Sequence, residues 1–171
     1  MVDCGAYDGD TISSFVKYYG DYSQIYAFEP NSSNYLKMIS QDFIKASKNI
    51  TCINKAVGNY NGIVSFSMTQ NSGTCVDEQS NSKIEIVRLD DAITERVSMI
   101  KMDIEGEELN ALNGTSEIIR KFSPKLAICV YHNLCDIFEI PQYVKAINSN
   151  YRFRIRQHDP SMYETVLYAW V

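Results

Sequence analysis

Nowhere in the 171 residues does an apolar run approach the roughly 18 consecutive positions that a membrane-spanning helix requires. The N-terminal Met-Val-Asp-Cys-Gly has neither the basic start nor the apolar core of an export signal. We therefore expect a soluble, cytoplasmic chain with no membrane partner. Basic charge is short as well. Sixteen Lys and Arg against 21 Asp and Glu leave a net charge of −5, which argues against a polyanion-binding surface and makes nucleic acid a poor partner. Five cysteines, an odd number without a CxxC pair, sit mostly in apolar runs such as Thr51-Cys52-Ile53 and Ile128-Cys129-Val130. That usage suits reduced core thiols better than a disulfide framework or a zinc site, and no metal is assigned. What remains is a globular composition, 45% hydrophobic and 22% charged, that excludes disorder and fibrous classes. The length predicts one domain over residues 1–171.

Short apolar runs alternate with longer segments of helical period, the mark of an α/β architecture with a mainly parallel sheet. Strands are predicted at 1–4, 24–29, 50–57, 83–89, 98–103 and 125–131, and helices at about 11–19, 32–47 and 107–122. Asn31 or Ser32 caps the second helix, and Gly114 weakens or kinks the third. Pro141 is placed in the first turn of a helix reaching Asn148. Between 59 and 82 the texture turns to Asn, Gly, Ser and Thr around one alternating run, predicting an inserted β-hairpin near 62–76. Two final strands, 151–156 and 164–170, are joined by too short a segment for a helical crossover and must be antiparallel neighbours. Met1 and Val2 alone leave the first strand short for the centre of a sheet. The chain is therefore expected to be the latter part of a longer protein, lacking an N-terminal extension.

The sharpest local signal is Asp3-Cys4-Gly5-Ala6-Tyr7-Asp8-Gly9-Asp10-Thr11, at the junction of a strand and a helix. Its glycines permit a tight turn and close approach of a ligand, and free N–H groups at the helix start favour an anionic group. The spacing is GxxxG, without the middle glycine of the dinucleotide GxGxxG, so a nucleotide-dependent oxidoreductase becomes a minor alternative. Glu29 ends the next strand, placed to accept hydrogen bonds from ribose hydroxyls. A nucleoside ligand without pyrophosphate fits both. Asp103 ends a strand that should be central, so its carboxylate points toward the cleft at the carboxyl ends of the strands. His132, Glu105, His158 and Glu164 are placed around the same cleft edge. Asp103 and His132 are the candidate general bases, whereas Glu107 and Glu108 read as a solvated helix start that complements the helix dipole. A divalent metal on Asp103 and a histidine is a minority view, because no tight ligand spacing supports it.

The blocks Asp3 to Thr11, Phe28-Glu29-Pro30-Asn31, Ala56-Val57-Gly58, Arg88-Leu89-Asp90-Asp91, Lys101-Met102-Asp103-Ile104-Glu105-Gly106-Glu107-Glu108, and His158 with Glu164 to Ala169 run in an order that resembles the FkbM-type family of S-adenosylmethionine-dependent methyltransferases. The resemblance implies a Rossmann-like, seven-stranded methyltransferase fold, mostly parallel, with the last strand antiparallel. It implies that Asp3, Gly5, Ala6, Gly9 and Thr11 surround the amino-acid part of S-adenosylmethionine, that Glu29 and Pro30 meet its ribose, and that Ala56 and Val57 flank its adenine, with Asp103 at the cofactor's edge. The expected reaction is methyl transfer to an oxygen of a small polar acceptor, such as a sugar or glycan precursor. A non-catalytic nucleoside-cofactor-binding module is the alternative.

Overall fold

A computed structural model describes residues 1–68, 74–76, 82–160 and 163–171, with side chains described outside 66–68, 74–76 and 82. Three crossover units build the main sheet. Strand β1 (Val2–Cys4) leads through helix α1 (Asp10–Tyr19) to β2 (Ile25–Phe28), and β2 through α2 (Ser32–Ser40) and α3 (Asp42–Ala46) to β3 (Ile50–Ile53). Strand β8 (Met99–Met102) leads through α5 (Glu108–Asn113) and α6 (Ser116–Phe122) to β9 (Lys125–Cys129). Helix α7 (Asp136–Ile147) then leads into β10 (Arg152–Gln157) and β11 (Thr165–Trp170). The seven strands lie in the order β10-β11-β9-β8-β1-β2-β3. All pairs among β3, β2, β1, β8 and β9 are parallel, and β11 is antiparallel to both neighbours. This is the Rossmann-like methyltransferase sheet expected from the sequence.

Alternation along the strands decides what each face does. Val2, Cys4, Phe28, Ile100, Met102, Leu126, Ile128, Leu167 and Ala169 point one way and form the larger core with residues of α5, α6 and α7 such as Leu112, Ile119 and Val144. On the opposite face, Ile25 and Ala27 pack with Ile12, Met38 and Ile44 of α1 to α3. Over β8, β9 and β11 that same face presents Lys101, Ala127, Cys129, Val166 and Tyr168 to a cavity instead of to an apolar core.

Several elements depart from the sequence reading. The helix expected at 32–47 breaks at Gln41, whose ψ of 134° is extended, and Asn31 is the cap, accepting from the N–H of Ser33 and Asn34. The strand expected at 50–57 splits because the Asn54 amide donates to the carbonyls of Glu29 and Pro30, turning the chain out of the sheet. Ala56–Val57 (β4) then joins Gly62–Met68 (β5), Thr74–Val76 (β6) and Ser82–Val87 (β7) in a second sheet of order β4-β7-β5-β6. The expected hairpin is the antiparallel pairing of β5 with β6; residues 69–73 within it lie outside the described residues. A short helix, α4 (Leu89–Ala92), follows. Asp90, just inside it, accepts from the N–H of Ile118 and Glu117 and so caps α6, whose own N-cap Thr115 makes no side-chain cap bond. Pro141 lies well inside α7 and not in its first turn, because that helix begins at Asp136. The break at Gly114 is as expected, but its cause is packing: a Cβ there would sit 1.9 Å from the Gly58 carbonyl oxygen.

Candidate active site

The strand order reverses direction between β1 and β8, and a cavity of about 540 Å³ opens at the carboxyl ends of the strands around that switch point. The two strand ends are joined there: Asp103 N–H donates to the Cys4 carbonyl at 3.1 Å. Gly5 turns away from β1 with φ 76°, and a Cβ on it would meet the Asp103 carbonyl oxygen at 1.9 Å. The neighbouring strand alone thus demands glycine at this position, which also lines the cavity. Gly9 faces Met38 and Ile44 and does not reach the cavity.

Glu29 closes β2 and is 5% exposed. One carboxylate oxygen accepts the N–H of Tyr7 and the other the N–H of Asn31, both at 2.8 Å. Burial raises its carboxyl pKa, against these two bonds, which lower it. A carboxylate offers about four lone-pair sites, so each oxygen retains capacity toward the cavity that Glu29 lines. Pro30, Thr11, Ala56 and Val57 line the same space, with Phe28 and Ile86 as further apolar wall.

Asp3, Ala6 and Gly9, expected to contact a ligand, are buried behind this wall. Asp3 is fully buried, 3.2 Å from the Lys101 ammonium, which also donates to the Gly5 carbonyl at 2.7 Å. Burial alone would lower the Lys101 pKa; Asp3 and Asp103 outweigh it and raise it, so the ammonium is kept. Lys101 was missed in the sequence, although a lysine inside the strand Met99-Ile100-Lys101-Met102 announces a buried partner.

The acidic side of the cavity is formed by Asp103, Glu105 and Glu164. Tyr131 Oη donates to Asp103 Oδ1 at 3.1 Å; burial, then Asp103, raise the phenol's pKa and keep it neutral. His132 stands behind Asp103. Its Nε2 is 3.6 Å from Asp103 Oδ1 and 3.5 Å from Glu105 Oε2, and its Nδ1 is 2.9 Å from Glu108 Oε1. Burial would lower the imidazole pKa, but Glu108, Asp103 and Glu105 reverse the sign and raise it. Glu108 is the plainest correction. Expected on the helix surface, it is fully buried and accepts the N–H of Ile104 at 2.9 Å. Glu107 also lines the cavity. His158 does not: exposed, it pairs its Nε2 with the Tyr168 hydroxyl at 2.8 Å, behind a tyrosine that does line it. Non-glycine residues with positive φ are costly unless their surroundings hold them. Three of the four among the described residues, Tyr7, Glu105 and Glu164, lie on this cavity.

The sequence matches the Methyltransferase FkbM domain over residues 3–155. The chain belongs to that family. The FkbM methyltransferase of Methylobacillus flagellatus KT has 28% identity and a TM-score of 0.81 over 99% of this chain and 43% of its own. This FkbM domain thus spans less than half the length of that protein. SMU.1697c of Streptococcus mutans, solved in complex with SAH, aligns over 99% of this chain and 87% of its own at 12% identity and TM-score 0.62. Fibrillarin of Aeropyrum pernix, with natively bound S-adenosyl-L-methionine, does so over 98% and 64% at 13% identity and TM-score 0.59. At those identities the likeness is one of fold. No curated protein matches the sequence. Among the described residues no helix is long and apolar enough to cross a membrane.

Proposed function

We propose that this FkbM domain transfers a methyl group from S-adenosylmethionine to an oxygen of a small polar acceptor, a saccharide or glycan precursor. The observation that carries the proposal is the pairing, in one cavity at the switch point, of Glu29 at the end of β2 with an acidic cluster at the end of β8. The cavity volume lies within the range of small-molecule sites, about 300–1,000 Å³. Its Phe28, Val57 and Ile86 wall suits a purine and the free lone pairs of Glu29 suit vicinal hydroxyls. When bound, the sulfonium supplies an electrophilic methyl carbon.

The chain's residues align and deprotonate. The open acidic side formed by Asp103, Glu105 and Glu164 would hold an acceptor through its hydroxyls, and holding it in line accounts for several orders of magnitude of rate. We assign the acceptor's proton to Asp103. Of the two candidate bases it is the one that lines the cavity, whereas His132 stands behind it, its pKa raised by Glu108, Asp103 and Glu105 against a burial that would lower it. His132 and Glu108 then act as positioning residues for Asp103. The net charge of −5 and the acidic rim support an uncharged, hydroxyl-rich acceptor over nucleic acid, and the composition supports a cytoplasmic setting. Calorimetric titration with S-adenosylmethionine and with NAD tests the reading. Saturable binding of the first and none of the second is expected; binding of NAD alone would overturn it in favour of an oxidoreductase.

A further inference from the structure

Behind the cavity wall lies a group of side chains whose polar atoms are not satisfied by one another. His132 is nine-tenths buried, and neither ring nitrogen makes a hydrogen bond among the described residues. Glu108 is fully buried, and its Oε2 is likewise without a partner. One ligand atom each from Asp103, Glu108 and His132 lie within 4.8 Å of one another. Glu105 Oε2 lies 3.5 Å from His132 Nε2.

The distances discriminate. An imidazolium satisfied by carboxylates alone would aim each N–H along its axis at an oxygen about 2.7–2.9 Å away. Here Nε2 stands between two oxygens, at 3.6 and 3.5 Å, and Nδ1 has an oxygen at 2.9 Å without hydrogen-bond alignment. Two atoms each about 2.1 Å from one ion stand about 3.0 Å apart at right angles and about 3.4 Å apart in a tetrahedron. The 3.6 and 3.5 Å separations at Nε2 are close to those of neighbouring ligands of an ion held by that nitrogen, whereas the 2.9 Å separation lies at Nδ1, on the other edge of the ring, which the same ion cannot also bind. Charge points the same way, since three carboxylates, from Asp103, Glu105 and Glu108, converge on a single imidazole.

We infer that Asp103, Glu108 and His132, flanked by Glu105, form a binding site for one divalent first-row transition-metal ion of the Mn²⁺ or Zn²⁺ class. One imidazole among carboxylates favours these over Ca²⁺ and Mg²⁺, which prefer oxygen donors alone. A part in catalysis rests on the function proposed above: an ion there would draw in an acceptor hydroxyl and lower its pKa, and a carboxylate with one oxygen on the ion keeps the other for the proton.

The test reads binding directly. The whole chain, stripped with chelator, is titrated with MnCl₂ while the resonance of free Mn²⁺ is followed, and with ZnCl₂ by calorimetry. One ion per chain is expected. Affinity should fall by about tenfold or more in His132→Gln and in Glu108→Gln, and stay unchanged in Glu139→Gln, an exposed carboxylate on α7. Should His132→Gln or Glu108→Gln fail to fold by circular dichroism, Glu105→Gln, whose side chain is 40% exposed, replaces it and should weaken Mn²⁺ severalfold. Absence of saturable uptake of either ion at millimolar concentration by the folded wild type overturns the inference, as does wild-type affinity in all folded site variants. Uptake of the ion without S-adenosylmethionine binding would instead overturn the proposed reaction and leave the metal site standing.

Discussion

Replacing Glu29 with Ala separates two jobs that its carboxylate does at once. From the sequence Glu29 reads as a cleft residue whose removal would weaken a ligand without unfolding the chain. In the structure its two oxygens also hold the N–H groups of Tyr7 and Asn31, each at 2.8 Å. Tyr7 is held at φ 50° and Asn31 is the cap of α2, so both turns depend on it. A donor left without its acceptor costs about 1–3 kcal/mol, toward the low end where water can enter. Truncation should therefore destabilise by about 2–3 kcal/mol, reduced somewhat by relief of a carboxylate whose pKa burial already raises. Glu29→Gln keeps one acceptor and points an NH₂ group at the second donor, so about half of that loss should remain. In urea the midpoint should shift without change in slope. Separately, hydrogen bonds from ribose hydroxyls to a charged group are worth about 1.5–3 kcal/mol, so affinity for S-adenosylhomocysteine should fall about 10- to 150-fold at a temperature where the variant is folded. An Ala variant with the wild-type urea midpoint would refute the structural half of this reasoning. One with wild-type affinity would move the ribose elsewhere.

Gly5→Ala places a Cβ against the Asp103 carbonyl oxygen at 1.9 Å on a residue with φ 76°; a loss of about 3 kcal/mol or more is expected, lowering the melting temperature by about 6–12 °C. Lys101→Met leaves Asp3 buried and unpaired and should cost about 3–5 kcal/mol, whereas Asp3→Leu added to it should recover a large part; strict additivity in this double-mutant cycle would show that the two side chains do not interact. His132 carries a raised pKa, so the folded state binds its proton more tightly than the unfolded chain. In chelator, the stability it contributes should be fully present below its ordinary pKa of about 6.5 and fall as pH rises through the higher folded value. Urea midpoints across that window should decline in the wild type and stay flat in His132→Gln at this step; parallel profiles would disprove the assignment.

The sequence encodes this fold least openly where a tertiary contact overrides the local pattern. The Ile50 to Val57 run is apolar enough to read as one strand, yet the chain leaves the sheet after Ile53, because the Asn54 side chain is tied to the carbonyls of Glu29 and Pro30. No periodicity announces a bond between residues 25 positions apart. Gln41 breaks the second helix with an extended ψ while its side-chain amide donates to the Asp8 carbonyl at 3.4 Å. By contrast β8, β9 and the antiparallel β10–β11 pair follow from apolar runs and connection length, which depend on the chain alone.

The site divides along the same line. Glu29 and Asp103 were legible because a strand end fixes where a side chain points, and strand ends can be read from an apolar run. Asp3 is one residue from Cys4 in the same motif, but alternation turns it to the opposite face, under Lys101, and a motif spelled as a string conceals that change of face. Glu108 was misread for the complementary reason. Acidic residues at a helix start are stabilised by the dipole whether or not water surrounds them, so the sequence offers the same letters for a solvated carboxylate and a fully buried one. Burial of Glu108 is decided by β9, which brings His132 to 2.9 Å from it across 24 residues of chain. Loss of that single contact therefore distinguishes the two kinds of acid. Glu107→Gln should leave the urea midpoint within about 0.5 kcal/mol of wild type, as for an ordinary partly exposed position. Glu108→Ala, which orphans the Ile104 N–H and leaves His132 without its nearest carboxylate, should cost about 2–4 kcal/mol. Equal midpoints for the two variants would return Glu108 to the surface and with it the positioning role assigned to His132.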